Sequence, residues 1–213
     1  MKRYPLIAIE GLDRTGKTTQ TDCLLETLAS KQIPHTLMKF PDRTTPIGKL
    51  INQYLTDPNF ELNDKAAHLL FSANRWELVD TFNKWINEKV IVMDRYVWSG
   101  VAYSAAKGLD SEWCLNPDKG LPKPDITIFL KFKNEMVISN REGFGEERYE
   151  KVEFQKKVKS QFEKLESQQI NSVNGKWINI FVDDKSIEDV REDIWAALSE
   201  LCENKVDDNL YHF

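Results

Sequence analysis

Gly11-Leu12-Asp13-Arg14-Thr15-Gly16-Lys17-Thr18 combines the residue types and the spacing that hold a polyphosphate. Glycines permit a turn whose backbone N–H groups face inward, and a helix starting there adds its positive end. Lys17 can reach bridging and terminal phosphate oxygens, and the Thr18 hydroxyl is a ligand for Mg²⁺. The expected ligand is a nucleoside triphosphate, in contact with Gly11, Leu12, Asp13, Arg14, Thr15, Gly16, Lys17, Thr18 and Thr19. Arg14 is an unusual cation for such a loop, because Lys17 and the helix already supply positive potential. It suits a charge placed in cis on a transferring γ-phosphoryl group, with a solvated loop side chain as the plain alternative.

A second set lies further along. Arg95, Ser99 and Tyr103 recur every four residues and share one helix face, while Phe71 and Arg75 are one turn apart on another helix. Taken singly, such a Phe–Arg pair is core plus solvated rim, and Arg95 is an ion-pair partner of Asp94. Taken together, an aromatic face, two guanidiniums and a phenol beside a triphosphate loop describe a site for a planar base carrying a phosphate.

The elements that must position these residues alternate. Leu6-Ile7-Ala8-Ile9 reads as a buried strand and Cys23-Leu24-Leu25 to Leu28 as the helix after the loop. Thr36–Phe40, Val90–Met93, Ile126–Leu130 and Trp177–Val182 read as four more strands. Helices are expected over about Ile47–Leu55, Asp64–Glu88, Asp94–Lys107, Val152–Gln168 and Ile187–Leu201, with a short one after the fourth strand. Gly108–Pro124 reads as a polar connection, Arg141–Tyr149 as a mobile charged loop, and 203–213 as a frayed tail. Strand–helix alternation gives a parallel sheet covered on both faces, with ligands at the carboxyl ends of its strands. Gly11, Phe40-Pro41, Asp94-Arg95 and Asp183 all fall there.

Composition narrows the class. The chain has 213 residues and a formal net charge of −5, which argues against a nucleic-acid partner. Three scattered cysteines without metal spacing point to a reducing compartment, and the first apolar run is too short for a signal or a membrane span. The expected location is the cytoplasm, with the nucleus left open.

Glu10-Gly11-Leu12-Asp13-Arg14-Thr15-Gly16-Lys17-Thr18-Thr19-Gln20, Phe40-Pro41-Asp42-Arg43, Ser72-Ala73-Asn74-Arg75-Trp76-Glu77, Asp94-Arg95-Tyr96-Val97-Trp98-Ser99-Gly100 and Glu147-Arg148-Tyr149-Glu150 together resemble the thymidylate kinases, the fungal members most. The resemblance spans about Leu6–Leu201. It implies an α/β P-loop nucleoside-monophosphate kinase fold with a five-stranded parallel sheet, helices on both faces and a short lid at about 141–150. A single domain over 1–213, a homodimer, ATP as donor, dTMP as acceptor and Mg²⁺ follow from it.

The resemblance also implies roles. Asp13 contacts the acceptor sugar 3′-OH, and Arg43 and Arg95 hold the acceptor phosphate. Phe71 stacks on the base, Arg75 bonds a base carbonyl, and Ser99 lies near the base edge, beside Gly100. Tyr103 crowds C2′, Tyr149 closes over the acceptor, and Phe40-Pro41 borders it. Arg141 lies on the donor adenine, against a wall formed by Asp183–Ser186. Arg14, Lys17, Arg95 and Asp94 are the expected catalytic residues, and Thr18 and Asp94 the metal-binding ones. Asp94 could equally fix Arg95. The readings to be separated from this one are a uridylate–cytidylate type kinase, a GTPase-like switch and an idle ATP-binding scaffold. The switch lacks support, since Asn83-Lys84 has no following aspartate in a guanine-binding pattern.

Overall fold

The computed structural model describes residues 2–133, 147–169, 175–207 and 209–213. In chain order its strands are β1 (Lys2–Arg3), β2 (Leu6–Gly11), β3 (His35–Lys39), β4 (Val90–Asp94), β5 (Ile126–Lys131), β6 (Lys176–Phe181) and β7 (Val206–Asp207). Its helices are α1 (Lys17–Ser30), α2 (Pro46–Thr56), α3 (Asp64–Trp76), α4 (Val79–Trp85), α5 (Val97–Ala105), α6 (Ser111–Leu115), α7 (Val152–Gln169) and α8 (Ile187–Asn204).

Burial explains the order of the sheet. All of β2 and β4, and β5 up to Leu130, is buried, so these strands are apolar on both faces apart from Glu10, Asp94 and Thr127, and do not alternate. They occupy the middle of a five-stranded parallel sheet ordered β3-β4-β2-β5-β6. The flanking helices complete one core that runs from Leu24 and Leu28 on α1 to Phe162 on α7 and Leu198 on α8. The chain turns outward on both sides of β2, and the crevice over its carboxyl end is where such sheets bind ligands.

Three expectations are corrected. The Asp64–Glu88 helix is two helices, broken at Glu77 and Leu78. The Glu77 N–H still bonds Ala73 O, but its carboxylate turns to Thr45 and Asn74, and the new direction takes Phe82 fully into the core. The Gly108–Pro124 connection contains α6, capped by Asp110, and a 3₁₀ turn over Asn116–Asp118. The tail is docked and not frayed. Its β7 pairs with β1, and further on Phe213 N–H bonds Leu121 O at 3.1 Å. The short helix expected after the fourth strand, and Arg141 to Glu146 of the lid, lie outside the described residues.

His68 on α3 is buried between Ser104 Oγ and the Cys114 carbonyl, each at 2.7 Å. Burial holds its imidazole below the ordinary value, so the folded protein takes up the His68 proton less readily than the unfolded chain. That contribution to stability is complete above the unfolded pKa of about 6.5 and is lost as pH falls toward the folded value. Thermal melts from pH 7.5 to 5 should therefore show a falling Tm, with a flatter slope in His68→Gln. Equal slopes would remove His68 as the cause.

Candidate functional site

The loop after β2 closes on itself. Gly16 (φ 86°) and Arg14 (φ 64°) both adopt the left-handed conformation, which turns the chain into α1. The Thr15 hydroxyl bonds Leu12 O at 2.9 Å, and the Lys17 ammonium is folded back onto the same carbonyl. Burial, and then the neighbouring Arg95 charge, pull the Lys17 ammonium down to about 7. A cavity of about 680 Å³ opens over the loop, lined by Asp13, Arg14, Gly16, Lys17, Thr18 and Thr19 together with Asp94 and Arg95. Thr18 Oγ1 donates to Asp94 Oδ2 at 3.3 Å at its floor. Gly11, Leu12 and Thr15 supply backbone and are themselves buried.

A second cavity, of about 100 Å³, adjoins the first. Asp13, Phe40, Pro41, Arg43, Phe71, Arg75, Arg95, Ser99, Gly100, Tyr103 and Tyr149 all line it. They arrive from the phosphate loop, the end of β3, α3, the start of α5 and the segment before α7. The two cavities share Asp13, Phe40, Pro41, Arg43, Arg95, Glu147 and Glu150.

Arg95 is the joint between them. It follows β4 with φ 65°, another left-handed non-glycine residue of the kind that collects at functional sites. Its guanidinium donates to Gly11 O at 3.0 Å and to Ser99 Oγ at 3.2 Å, and pairs with the Asp13 carboxylate. Burial alone would raise the Asp13 carboxyl, but the Arg95 and Lys17 charges outweigh it and hold the group below the usual carboxylate range. Asp94 is therefore not the ion-pair partner of Arg95. It faces Thr18, with the Lys39 ammonium 3.9 Å away.

Several supports carried no sequence signal strong enough to single them out. Glu10 is fully buried and accepts from Tyr96 N–H at 2.9 Å, Ser99 N–H at 3.1 Å and the Ser99 hydroxyl, which fixes the first turn of α5. Gln155 on α7 holds Asp13 from both sides, donating to Oδ2 at 2.7 Å and accepting from its N–H at 3.1 Å. Arg75 is not a solvated rim. It is 3 % exposed and makes a two-point pair with Asp118, at 3.0 and 2.5 Å. The Tyr103 hydroxyl is buried beside Asp13 and Gln155, and the residue lines the smaller cavity.

Two more arginines are held by carboxylates just beyond the undescribed lid residues. Arg43 pairs with Glu147 at 2.8 Å, and Arg14 with Glu150 at 2.9 Å. Arg148 ties this segment to the end of α2 through the carbonyls of Tyr54, Asp57 and Phe60. Asp183 accepts from Lys133 N–H at 2.6 Å, and Gln20 bonds Ile187 O at 3.0 Å, which sets the 183–186 turn beside α1.

The Arg75 guanidinium lies flat against Gly100. A Cβ there would stand 2.8 Å from Nη2 and 2.9 Å from Nη1. Gly100→Ala should thus displace the guanidinium although alanine favours a helix. We expect KM for the acceptor to rise about 10- to 100-fold, the loss of one or two good hydrogen bonds, and Tm to fall, because the displaced guanidinium is the buried partner of Asp118. An unchanged KM would show that Arg75 does not contact the acceptor.

The fold and the paired cavities define a P-loop kinase acting on a nucleoside monophosphate. Residues 9–194 match the thymidylate kinase family. The chain is 52 % identical to the thymidylate kinase of Schizosaccharomyces pombe over 78 % of this chain and 79 % of that one. It is 42 % identical to the human thymidylate kinase over 93 % and 91 % of the two chains. The solved thymidylate kinase of Candida albicans superposes with a TM-score of 0.84 at 40 % identity, covering 100 % of this chain and 99 % of that one. The chain belongs to the thymidylate kinase family.

Proposed function

We propose that the chain transfers the γ-phosphoryl group of ATP to dTMP in line, with the donor in the cavity over the phosphate loop and the acceptor in the smaller cavity. One observation carries this reading: the cavities meet at Asp13 and Arg95, so phosphates entering from either side face each other across one guanidinium. The nucleophile is an acceptor phosphate oxygen, already ionised near neutral pH, so no strong general base is required. Lys17 and Arg14 neutralise the transferring group, and Arg95 and Arg43 place the acceptor; the barrier falls through positioning and charge neutralisation. Bound phosphates favour the charged form of Lys17, against the burial that lowers it.

Thr18 and Asp94 fit Mg²⁺. Both offer hard oxygens at the loop, and a site completed by substrate phosphates is the usual one for this ion. No group of three or more His, Cys, Asp or Glu that could hold a metal occurs among the described residues. When bound, the ion would neutralise charge on the β- and γ-phosphates.

On the acceptor side, Phe71 and Arg75 take the base, Asp13 the sugar 3′-OH, and Tyr103 and Tyr149 enclose the sugar. On the donor side, Arg141 lies on the adenine. Residues 141–150 act as the lid of a single domain. We further propose a homodimer, for which the exposed Leu50 and Leu69 offer apolar surface, working in the cytoplasm without nucleic-acid or membrane partners. No helix of the described residues is long and apolar enough to cross a membrane.

The test is ADP release with Mg-ATP across dTMP, dUMP, UMP, CMP and dCMP. We expect dTMP to be preferred, with kcat/KM for dUMP about 10- to 200-fold lower for want of one methyl group. Equal values for the two would sink the methyl pocket, and preference for CMP or UMP would sink the assignment.

A further inference from the structure

The Arg75 guanidinium sits in a socket with two walls from distant parts of the chain. One wall is Asp118, fully buried at the end of the 3₁₀ turn. The other is helix α5 at Gly100. The C-terminal segment joins the residues just after Asp118 to the first turn of α5. It runs antiparallel to residues 120–123, with Lys123 N–H donating to Tyr211 O at 2.7 Å and Phe213 N–H to Leu121 O at 3.1 Å. Gly120 N–H donates to Phe213 O at 3.2 Å, and Leu121 N–H donates on to Asp118 O at 3.0 Å. The Phe213 ring turns the other way, onto α5. It packs edge-to-face on Trp98 at 4.9 Å and against Tyr96 at 6.0 Å.

We propose that Tyr211–Phe213 is a positioning element of the base pocket: it fastens the Asp118 turn to helix α5 and so fixes the Arg75 guanidinium for the planar base. The inference rests on the acceptor-site reading given above. Phe213 itself lines neither cavity, so it acts only through what it holds. A guanidinium that is already oriented loses less freedom when it binds, and its fork offers donors in one plane only. Loosening either wall therefore weakens acceptor binding. Phe213 lies outside the lining of the cavity over the phosphate loop, so donor binding should be spared.

The test is steady-state kinetics on the full chain for the parent, Phe213→Ala, Asp118→Asn and the double variant. Phe213→Ala should raise KM for dTMP about 5- to 20-fold while KM for ATP and kcat stay within about twofold. It should add little on top of Asp118→Asn, because both act on one guanidinium. Phe213→Leu, which keeps apolar bulk, should recover most of the loss. An unchanged KM for dTMP in folded Phe213→Ala, a parallel rise in both KM values, or full additivity with Asp118→Asn would each overturn the proposal. If Phe213→Ala does not fold, Phe213→Leu enters the same cycle under the same criteria, with a smaller rise expected. A parent that fails to phosphorylate dTMP would remove the acceptor-site reading itself, and the proposal with it.

Discussion

Arg14→Ala is expected to lower kcat about 10³- to 10⁵-fold while ATP affinity changes far less, since an arginine on the transferring phosphoryl acts mainly in the transition state. The geometry favours this role over that of a solvated loop residue. The left-handed backbone at Arg14 turns its side chain toward the cavity that Lys17 also lines, and Glu150 holds the guanidinium there. Nucleotide phosphates would exchange for that carboxylate. Single-turnover chemistry with Mg-ATP and dTMP, alongside ATP binding, separates the two effects. Arg14→Lys should recover only part of the rate, because a point charge lacks the fork. A kcat within tenfold of the parent would transfer the catalytic cation to another residue, Arg141 being the first to examine.

Arg95→Ala should reduce kcat/KM for dTMP by roughly 10²- to 10³-fold or more and also lower Tm. Removing one partner of a buried pair costs about 3–5 kcal/mol, and this pair, whose side chains are 19 % and 17 % exposed, should lose less. Asp13, 17 % exposed, loses its largest favourable charge neighbour, and the fully buried Glu10 loses a nearby positive one. The Asp13 carboxyl should then titrate upward, because burial, which raises it, would be opposed by less charge. The acid limb of kcat/KM against pH should accordingly move to higher pH in this variant. Adding Asp13→Asn should restore part of the lost Tm without restoring activity. If Tm and acceptor kinetics were unaffected by Arg95→Ala, the joint between the two cavities would lie elsewhere.

The strands and the phosphate loop were readable because short apolar runs bounded by turn residues leave few alternatives. The acceptor face was readable in part: Ser99 and Tyr103 keep helical spacing on α5, but Arg95 precedes that helix at a left-handed position, so the shared helix face expected for all three holds for two of them. The break at Glu77 was not, because Leu78, Phe82 and Trp85 continue the apolar stripe in phase across it. Periodicity cannot register a bend that preserves it. The partners of the site residues were harder still. Asp118 lies 43 positions from Arg75, Glu10 lies 89 from Ser99, and Gln155 lies 142 from Asp13, so only the fold brings them together. Gln155 did leave a trace, since it continues the buried stripe of Val158, Phe162 and Leu165 as its one polar member. Tyr211 and Phe213, in a short run after the polar Asp207-Asp208-Asn209, left none.

Glu147 and Glu150 give the resting protein its own counter-ions. On the proposed reading, entering phosphates would take Arg43 and Arg14 from these carboxylates, which would pass to solvent. The number of ion pairs changes little across the exchange. Substrate affinity should therefore depend only weakly on ionic strength for a site that handles so much charge, since screening weakens both sets of pairs together. The same carboxylates cancel much of the positive field that an empty pair of arginines would show to passing anions, so stray sulfate or inorganic phosphate must displace a tethered competitor before it can settle.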